Sequence, residues 1–452
     1  MKIILIGVGK VGLAIARELT GEGHDITIVD SNEAALAHAG DLLDVMTIHG
    51  NGAAASVLLQ AGVREADVVL AVTAVDEVNL ICCLMAKKMG AAHTVARVRN
   101  PEYSRDAQIL RSEIGLDRII NPEYVSAQEI ARILRVPSAF GVETFAGGTV
   151  ELIGFQVKES DDFCGKTLSE YNRQNPNNLL LCAARRAEEV IVPDGDFVPQ
   201  DGDKVYVIGS PAETLRVLRS MGRSTAPLKH VSVIGGGALS EYLAHALRPL
   251  DARICIVDRN ESKCRRLAEV LPQCSVILGD GTDSEFLDAE GIFDTDALVA
   301  VTGSDEENLL LALSAMRRGV KKAIPKMTHA ADAGLLHDLG VNTVISPARV
   351  IGEQVASYVR GLANSQGSAV DCLYKILGGA MEAVEFRASA ATNFLNQPLR
   401  DLPIRKGLIV AAIVHNGVPL IPDGNAVICE DDRVIVVAKS LFLRDLNDIL
   451  EQ

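Results

Sequence analysis

The chain opens on an apolar run, Ile3-Ile4-Leu5-Ile6, followed by a glycine turn, a helical stretch and a second apolar run, ITIVD, ending at Asp30. Parallel strands buried on both faces read as short continuous apolar runs rather than as alternating ones. The same signature returns in VMTIHGNG (Val45 to Gly52), DVVLAVT (Asp67 to Thr73), HTVARV (His93 to Val98) and RIIN (Arg118 to Asn121). Between them lie a short helix capped by Ser31 and a helical run from Asp76 through Met89, and a helix near Glu123 to Leu134 follows the last. Six strands alternating with helices predict a parallel, doubly wound α/β sheet, with VMTIHGNG as a buried strand and turn.

Around Gly141 the pattern changes. ELIGFQV, NLLLCAARR, EVIVPDG and DKVYVIG read as short strands separated by turns, with a final helical stretch at Ala212 to Arg219 and a linker, GRSTAP, at Gly222 to Pro227. This is a small β-rich module. Then the whole plan repeats at an offset of about 229 positions. VSVIGGGALS (Val231 to Ser240) answers IILIGVGKVG, RICIVD ends at Asp258 as ITIVD ends at Asp30, LGDG (Leu278 to Gly281) answers HGNG, and Thr302 answers Thr73. PKM places Lys326 opposite Arg97, and IPDG at Ile421 to Gly424 answers VPDG at Val192 to Gly195. The chain is a tandem duplication of a two-part unit. The divisions expected are residues 1–123, a crossover helix over 124–141, a β module over 142–224, a second α/β domain over 229–348, a helix and linker over 349–367, and a second β module over 368–452.

The glycine turn carries the candidate chemistry. GVGKVG after a strand and before a helix is the dinucleotide-binding pattern: Gly7 makes the turn, Gly9 lets a pyrophosphate approach, and Gly12 lets the helix pack on the sheet. The helix N-terminus then offers unpaired N–H groups to phosphate. Gly7, Val8, Gly9, Lys10 and Val11 are expected to cradle the phosphates, and Asp30 to hold the adenine ribose. That carboxylate repels a 2′-phosphate, favouring NAD(H) over NADP(H). Strand ends line the carboxyl edge of the sheet, which adds Asn51, Thr73, Ala74 and Arg97 to the same rim. For Lys10 a solvated helix lysine, for Thr73 a turn cap and for Asp76 a helix N-cap are the plainer alternatives. In the second repeat the corresponding positions are Gly235, Gly236, Gly237, Ala238, Asp258, Asp280, Thr302 and Lys326. Ser240 replaces the third glycine, so the helix must be pushed outward or locally accommodated. Arg259 beside Asp258 weakens the argument against a 2′-phosphate there.

A length of 452 residues with 48% hydrophobic and 23% charged residues indicates a globular chain of several domains. A net charge of −15 argues against a broad nucleic-acid-binding face. The basic run Arg317-Arg318 with Lys321-Lys322 reads as a solvated helix end. Apolar runs are strand-sized, so no membrane span is expected, and the Met-Lys start leading straight into a strand leaves no room for a signal peptide. Nine cysteines without CxxC spacing, including Cys82-Cys83 on a helix, read as reduced core residues. The nine histidines, among them His329 and His337, lack metal-ligand spacing with one another, and no metal site is expected. Gly165-Lys166-Thr167 has Ser160 where a phosphate-binding P-loop needs glycine, so it reads as a turn. No HExxH or GxSxG motif occurs, and no catalytic residues are assigned.

With GVGKVG, an acidic end to the second strand, VT before a D-x-x-N helix, and a β module carrying GKTLSE and VPDGD, each half resembles an RCK (KTN, regulator of K⁺ conductance) unit. Two fused units resemble the regulatory subunits of Trk-type potassium-uptake systems across essentially the whole chain. The resemblance implies two RCK N-type Rossmann-like domains, each followed by a small α+β C-type module, in a non-enzymatic cytoplasmic protein peripheral to the inner face of the membrane. It also implies a homotetrameric ring beneath a membrane-embedded potassium transporter, sensing NAD⁺ or NADH, with ATP and ADP as further candidate ligands. An NAD-dependent dehydrogenase, or a nucleotide sensor with an unrelated partner, stay open on the residues alone.

Overall fold

The computed structural model describes residues 1–100, 103, 115–174, 180–223, 225, 228–328, 336, 339–341, 343–363, 370–439 and 443–451. Strands β1 (Lys2–Ile6), β2 (Asp25–Asp30), β3 (Met46–His49), β4 (Val68–Ala71), β5 (His93–Arg97) and β6 (Arg118–Ile120) form a six-stranded sheet in the order β3-β2-β1-β4-β5-β6. All its pairings are parallel. Strand order reverses between β1 and β4, so a crevice opens at their carboxyl ends, where α1 (Lys10–Gly21) begins. The apolar runs explain this placement: β1 and β4 are central and buried along nearly their whole length. VMTIHGNG differs from its expected burial. As β3 it is the edge strand, only Ile48 of its four residues is buried, and Met46 is 63% exposed. Asn32, not Ser31, caps α2 (Glu33–Leu42), accepting from Ala35 N–H. A short helix, α3 (Ala55–Gln60), precedes β4.

The first β module is an antiparallel sheet in the order β10-β9-β11-β8-β7, built from β7 (Gly141–Phe145), β8 (Val150–Gln156), β9 (Leu180–Arg186), β10 (Glu189–Ile191) and β11 (Lys204–Gly209). The second repeat follows the same plan. Strands β12 (His230–Ile234), β13 (Arg253–Asp258), β14 (Ser275–Leu278), β15 (Ala297–Ala300) and β16 (Lys322–Pro325) make a parallel sheet, β14-β13-β12-β15-β16. Strands β17 (Val370–Ile376), β18 (Met381–Arg387), β19 (Leu408–His415), β20 (Val418–Leu420) and β21 (Arg433–Lys439) make the antiparallel sheet β17-β18-β21-β19-β20. Lys322 is no solvated helix end. It lies buried in β16, donates to Thr343 Oγ1 at 2.8 Å, and burial pushes its ammonium down to about 7. Gly165 turns the chain, and Thr167 and Glu170 cap the helix Leu168–Gln174 reciprocally. His329, His337, the start of NLLLCAARR, parts of GRSTAP and the end of the 349–367 segment lie outside the described residues.

The chain forms two compact units that pair like with like: residues 1–130 with 229–359, and residues 131–228 with 360–452. In the first unit, Asn121 Nδ2 donates to Tyr242 Oη at 3.0 Å, Tyr242 Oη donates to Arg99 O at 3.2 Å, and Tyr124 meets Tyr242 edge-to-face. In the second, one apolar core is shared by both β modules, with Phe145, Val150 and Leu152 packed among Ile376, Met381 and Val437. Tyr374 Oη donates to Thr144 O at 3.2 Å, and Ala146 N–H donates to Glu385 Oε2 at 2.9 Å.

A buried carboxylate at the junction of the two α/β domains makes this contact pH-sensitive. Glu353, on the helix Pro347–Ala363, is 7% exposed and bonded by Arg349 at 2.8 Å; Arg349 also reaches Glu129 of the first repeat at 3.3 Å. Burial pushes Glu353 up to about 7, with Arg349 opposing and Glu129 and Glu18 reinforcing. A carboxyl raised on folding contributes fully below its unfolded value; stability is then lost as pH rises from about 4.5 to about 7 and levels off above. Glu353→Gln should therefore match the parent near pH 5 and exceed its stability at pH 8 by about 2–3 kcal/mol, measured by urea unfolding at both values.

Candidate functional site: two nucleotide clefts

Each cleft begins with the turn after the first strand of its sheet. Gly7 has φ +97°, and a Cβ there would lie 2.9 Å from Thr73 N, so both conformation and space select glycine. Gly12 packs α1 against that turn: a Cβ would lie 2.0 Å from Gly7 O. A carboxylate holds the turn closed from the neighbouring strand. Asp30 Oδ2 accepts from Val8 N–H at 2.7 Å and Oδ1 from Asn32 N–H at 2.8 Å. Asp258 does the same with Gly236 N–H at 2.6 Å and Asn260 N–H at 2.8 Å. Each carboxylate keeps lone pairs beyond these bonds, since an ionised carboxyl has about four acceptor sites.

The D-x-x-N sequence builds the opposite wall. Asn79, on α4 (Asp76–Met89), accepts from Thr73 N–H and Thr73 Oγ1, each at 2.8 Å, and donates to Arg97 O at 2.9 Å. Asp76 is not the N-cap, which is Val75; its Oδ2 accepts from Arg99 N–H at 2.8 Å and Asn100 N–H at 2.9 Å, tying the loop after β5 to the helix. Asn308 and Asp305 repeat the device. Asn308 accepts from Thr302 N–H at 2.8 Å and donates to Lys326 O at 2.9 Å, while Asp305 accepts from Thr328 N–H at 2.9 Å. Thr73 thus supports the wall with its hydroxyl, which also accepts from Val75 N–H at 3.3 Å.

The first cleft encloses about 840 Å³, within the range of small-molecule sites. Gly7, Gly9, Lys10, Val11, Asp30, Asn51, Thr73, Ala74 and Arg97 line it. Val8 and Gly12 do not: Val8 is buried with its N–H spent on Asp30, and Gly12 faces the sheet. The cleft is closed by residues that the sequence does not point to, namely Glu123 at the start of the crossover helix and, from the second repeat, Thr328, Pro347 and Ala348. Lys326 is placed differently from its expected role. It lines the first cleft, beside Arg97 and Glu123, and is not on the wall of the second. The only hint in the sequence is the offset relating Lys326 to Arg97, which duplicates a position at the junction.

Three cations therefore share one cleft. Arg97 lies 3.7 Å from Glu123, and burial pushes its guanidinium down while Glu123 opposes the shift. Its Nε is buried without a hydrogen-bond partner, as is Glu123 Oε2. Lys326 is also pushed down by burial, with Asp305 and Glu123 opposing and Lys10 reinforcing. An orphaned guanidinium N–H beside two lysines, a glycine turn and a carboxylate at the end of β2 is a donor set that fits a dinucleotide: phosphates at the cations and turn, ribose at Asp30.

The second cleft, about 680 Å³, is lined by residues of its own repeat, among them Gly235, Asp258, Arg259, Lys263, Asp280, Thr302 and Glu307. Gly236, Gly237 and Ala238 are not on its wall. Asp280 is turned back on Thr282, whose N–H and hydroxyl hold its carboxyl below the usual range. Ser240 is accommodated locally: its hydroxyl donates to Gly235 O, and Gly237 O accepts from both Ser240 and Glu241 N–H, a tighter first turn than in α1.

Fold and clefts together define a tandem Rossmann-type chain with two nucleotide-cleft domains and two β modules. The TrkA-N domain family matches residues 3–122 and 231–347, and the TrkA-C domain family residues 152–222 and 383–450. The chain is 33% identical over 459 residues to Trk system potassium uptake protein TrkA homolog 2 of Methanosarcina mazei, covering 100% of both. It is 30% identical to Trk system potassium uptake protein TrkA of Azorhizobium caulinodans, covering 97% of this chain and 96% of that protein. Among solved structures, the GsuK RCK domain aligns with a TM-score of 0.63 at 18% identity, over 97% of this chain and 92% of that one. The chain belongs to the TrkA family of RCK-fold proteins. Among the described residues, no helix is long and apolar enough to cross a membrane.

Proposed function

We propose that this chain is the nucleotide-sensing regulatory subunit of a Trk-type potassium-uptake system. It binds NAD⁺ or NADH in the first cleft and acts by conformational change on a membrane-embedded potassium-translocating partner, as a homotetrameric ring at the cytoplasmic face. The observation that carries this reading is the composition of the first cleft, where Lys10 and Arg97 of one repeat meet Lys326 and Thr328 of the other. A dinucleotide phosphate held by all three cations would bridge the repeats, so binding energy becomes a preference for one arrangement of the junction. The relatives' shared naming as Trk potassium-uptake proteins and the GsuK channel solved bound to NAD, at a TM-score of 0.63, support it. Coupling of about 1 kcal/mol at each of four equivalent sites sums to roughly 4 kcal/mol, about three orders of magnitude in a gate equilibrium. ATP or ADP can share the cleft, since their ribose presents the same diol to Asp30.

The test is potassium flux through the Trk partner in vesicles, with and without NADH. Flux should respond to NADH with the parent chain, whereas Lys326→Ala should bind NADH about tenfold more weakly and shift the response accordingly. Flux indifferent to NADH, ATP and ADP would refute the regulatory reading. Unchanged binding by Lys326→Ala would refute the bridge.

A further inference from the structure

We propose that His415, Cys429 and Asp432 form a transition-metal site on the second β module, with zinc as the best-fitting ion. His415 ends β19, and Cys429 and Asp432 lie in the loop and turn entering β21. One donor atom from each lies within 4.8 Å of the others. His415 Nδ1 is 2.6 Å from Asp432 Oδ1, and Asp432 Oδ2 accepts from Cys429 N–H at 2.8 Å.

The duplicated module shows what this corner does without such ligands. At the equivalent positions, 229 residues earlier, stand Arg186, Gln200 and Asp203. Asp203 accepts from Arg186 Nε at 2.9 Å and Nη2 at 2.7 Å, and from Gln200 N–H at 2.9 Å. Backbone geometry is shared: Ala187 and Asn416 both have φ +51°, and Gly202 and Asp431 have φ +87° and +67°. The buried carboxylate and the amide that binds it are thus retained, whereas the fixed guanidinium becomes an imidazole and the glutamine becomes a thiol. Both changes are toward metal ligands.

The electrostatic consequence points the same way. Asp203 and Asp432 are 3% and 2% exposed, and a buried carboxylate needs a countercharge. Arginine supplies one permanently in the first module. In the second module that permanent guanidinium is absent, and a divalent cation between nitrogen, sulfur and oxygen would take its place. That donor set suits zinc rather than calcium or magnesium, which take oxygen ligands. The His415 side chain is 55% exposed, leaving a solvent side for a fourth, water ligand. Asn416 Nδ2 lies 3.0 Å from His415 Nε2, which accepts there while Nδ1 faces Asp432. A metal on Nδ1 would displace the proton shared there with Asp432 to Nε2, where the Asn416 amide would have to turn its oxygen inward to accept it, and would release the Cys429 thiol proton to solvent.

Equilibrium dialysis against ZnCl₂ and Co²⁺ absorption spectra of the full chain test the assignment. The parent should take up one metal ion per chain at this site, with a thiolate-to-cobalt charge-transfer band. Cys429→Ser should lose that band. His415→Arg, which installs the ion pair of the first module and so keeps the fold, should bind at least about tenfold more weakly, the least that losing even an outer-sphere partner costs. Absence of stoichiometric uptake by the parent, or uptake that both variants retain, would overturn the assignment.

Discussion

Replacing Asp30 with alanine is expected to weaken NADH binding to the first cleft by about 10- to 100-fold, at roughly 1.5–3 kcal/mol for a charge-assisted hydrogen bond. Two effects add in this variant. The ribose loses its carboxylate, and Val8 N–H and Asn32 N–H lose the acceptor that fixes the glycine turn. Asp30→Asn separates them, because an amide oxygen can still accept from Val8 N–H while the negative charge is gone. It should retain the turn, lose most of the preference for NADH over NADPH, and bind NADH with intermediate affinity. Titration calorimetry of both variants, with Asp258→Ala as the control in the other repeat, decides the point. An Asp30→Ala variant with parental affinity would remove Asp30 from the site.

Gly12→Ala should be the most destabilising single methyl group in the first α/β domain. The added carbon would lie 2.0 Å from Gly7 O, a backbone atom that cannot rotate away, so either α1 lifts from the sheet or the turn distorts. Overpacking against flexible side chains costs about 1–3 kcal/mol; against backbone the upper end or beyond is expected. An apparent Tm lower by roughly 5–10 °C follows for a unit of this size, together with loss of NADH binding as the turn moves. Thermal melts followed by circular dichroism measure the first, and calorimetry the second. The second repeat shows that such a helix start can be built around a side chain: Ser240 is fully buried, bonded to Gly235 O, and the first helical turn is tightened. That adjustment involves several residues, so Gly12→Ser should not reproduce it alone. A parental melting profile for Gly12→Ala would show that α1 shifts freely.

What was legible in the sequence follows from how local each signal is. The central strands of both parallel sheets stand out because their near-complete burial requires unbroken apolar runs, and Gly7, Asp30 and their counterparts stand out because one turn geometry demands them. β3 misleads because an apolar run says nothing about position in the sheet, and an edge strand with one buried residue carries nearly the same letters. Asp76 misleads for a related reason. An acidic residue at a helix start suits the N-cap, yet here its acceptors are used by Arg99 and Asn100 N–H, 23 and 24 positions away. Lys326 is the largest departure. Its match to Arg97 is plain, but which cleft it enters depends on how the two domains pack, and no spacing encodes that. Glu123 escapes notice because it belongs to the crossover helix rather than to a strand end.

The shared core of the two β modules bears on how the chain can be divided. Phe145, Val150, Leu152, Cys182 and Ile208 are covered by Ile376, Met381, Ala411, Ile435 and Val437, with Lys439 Nζ donating to Val190 O at 2.8 Å across the seam. A fragment ending near residue 228 would carry one half of that core uncovered. Cutting at the repeat boundary, the most obvious place in the sequence, therefore yields two sticky halves rather than two domains. Each half retains a surface shaped for its own near-copy, so self-pairing of identical fragments is the natural fate of either piece. Fusion of the repeats into one polypeptide pairs each domain with its counterpart from the other repeat rather than with an identical copy, which is what allows the two clefts, and the Arg186–Asp203 and His415–Asp432 corners, to differ.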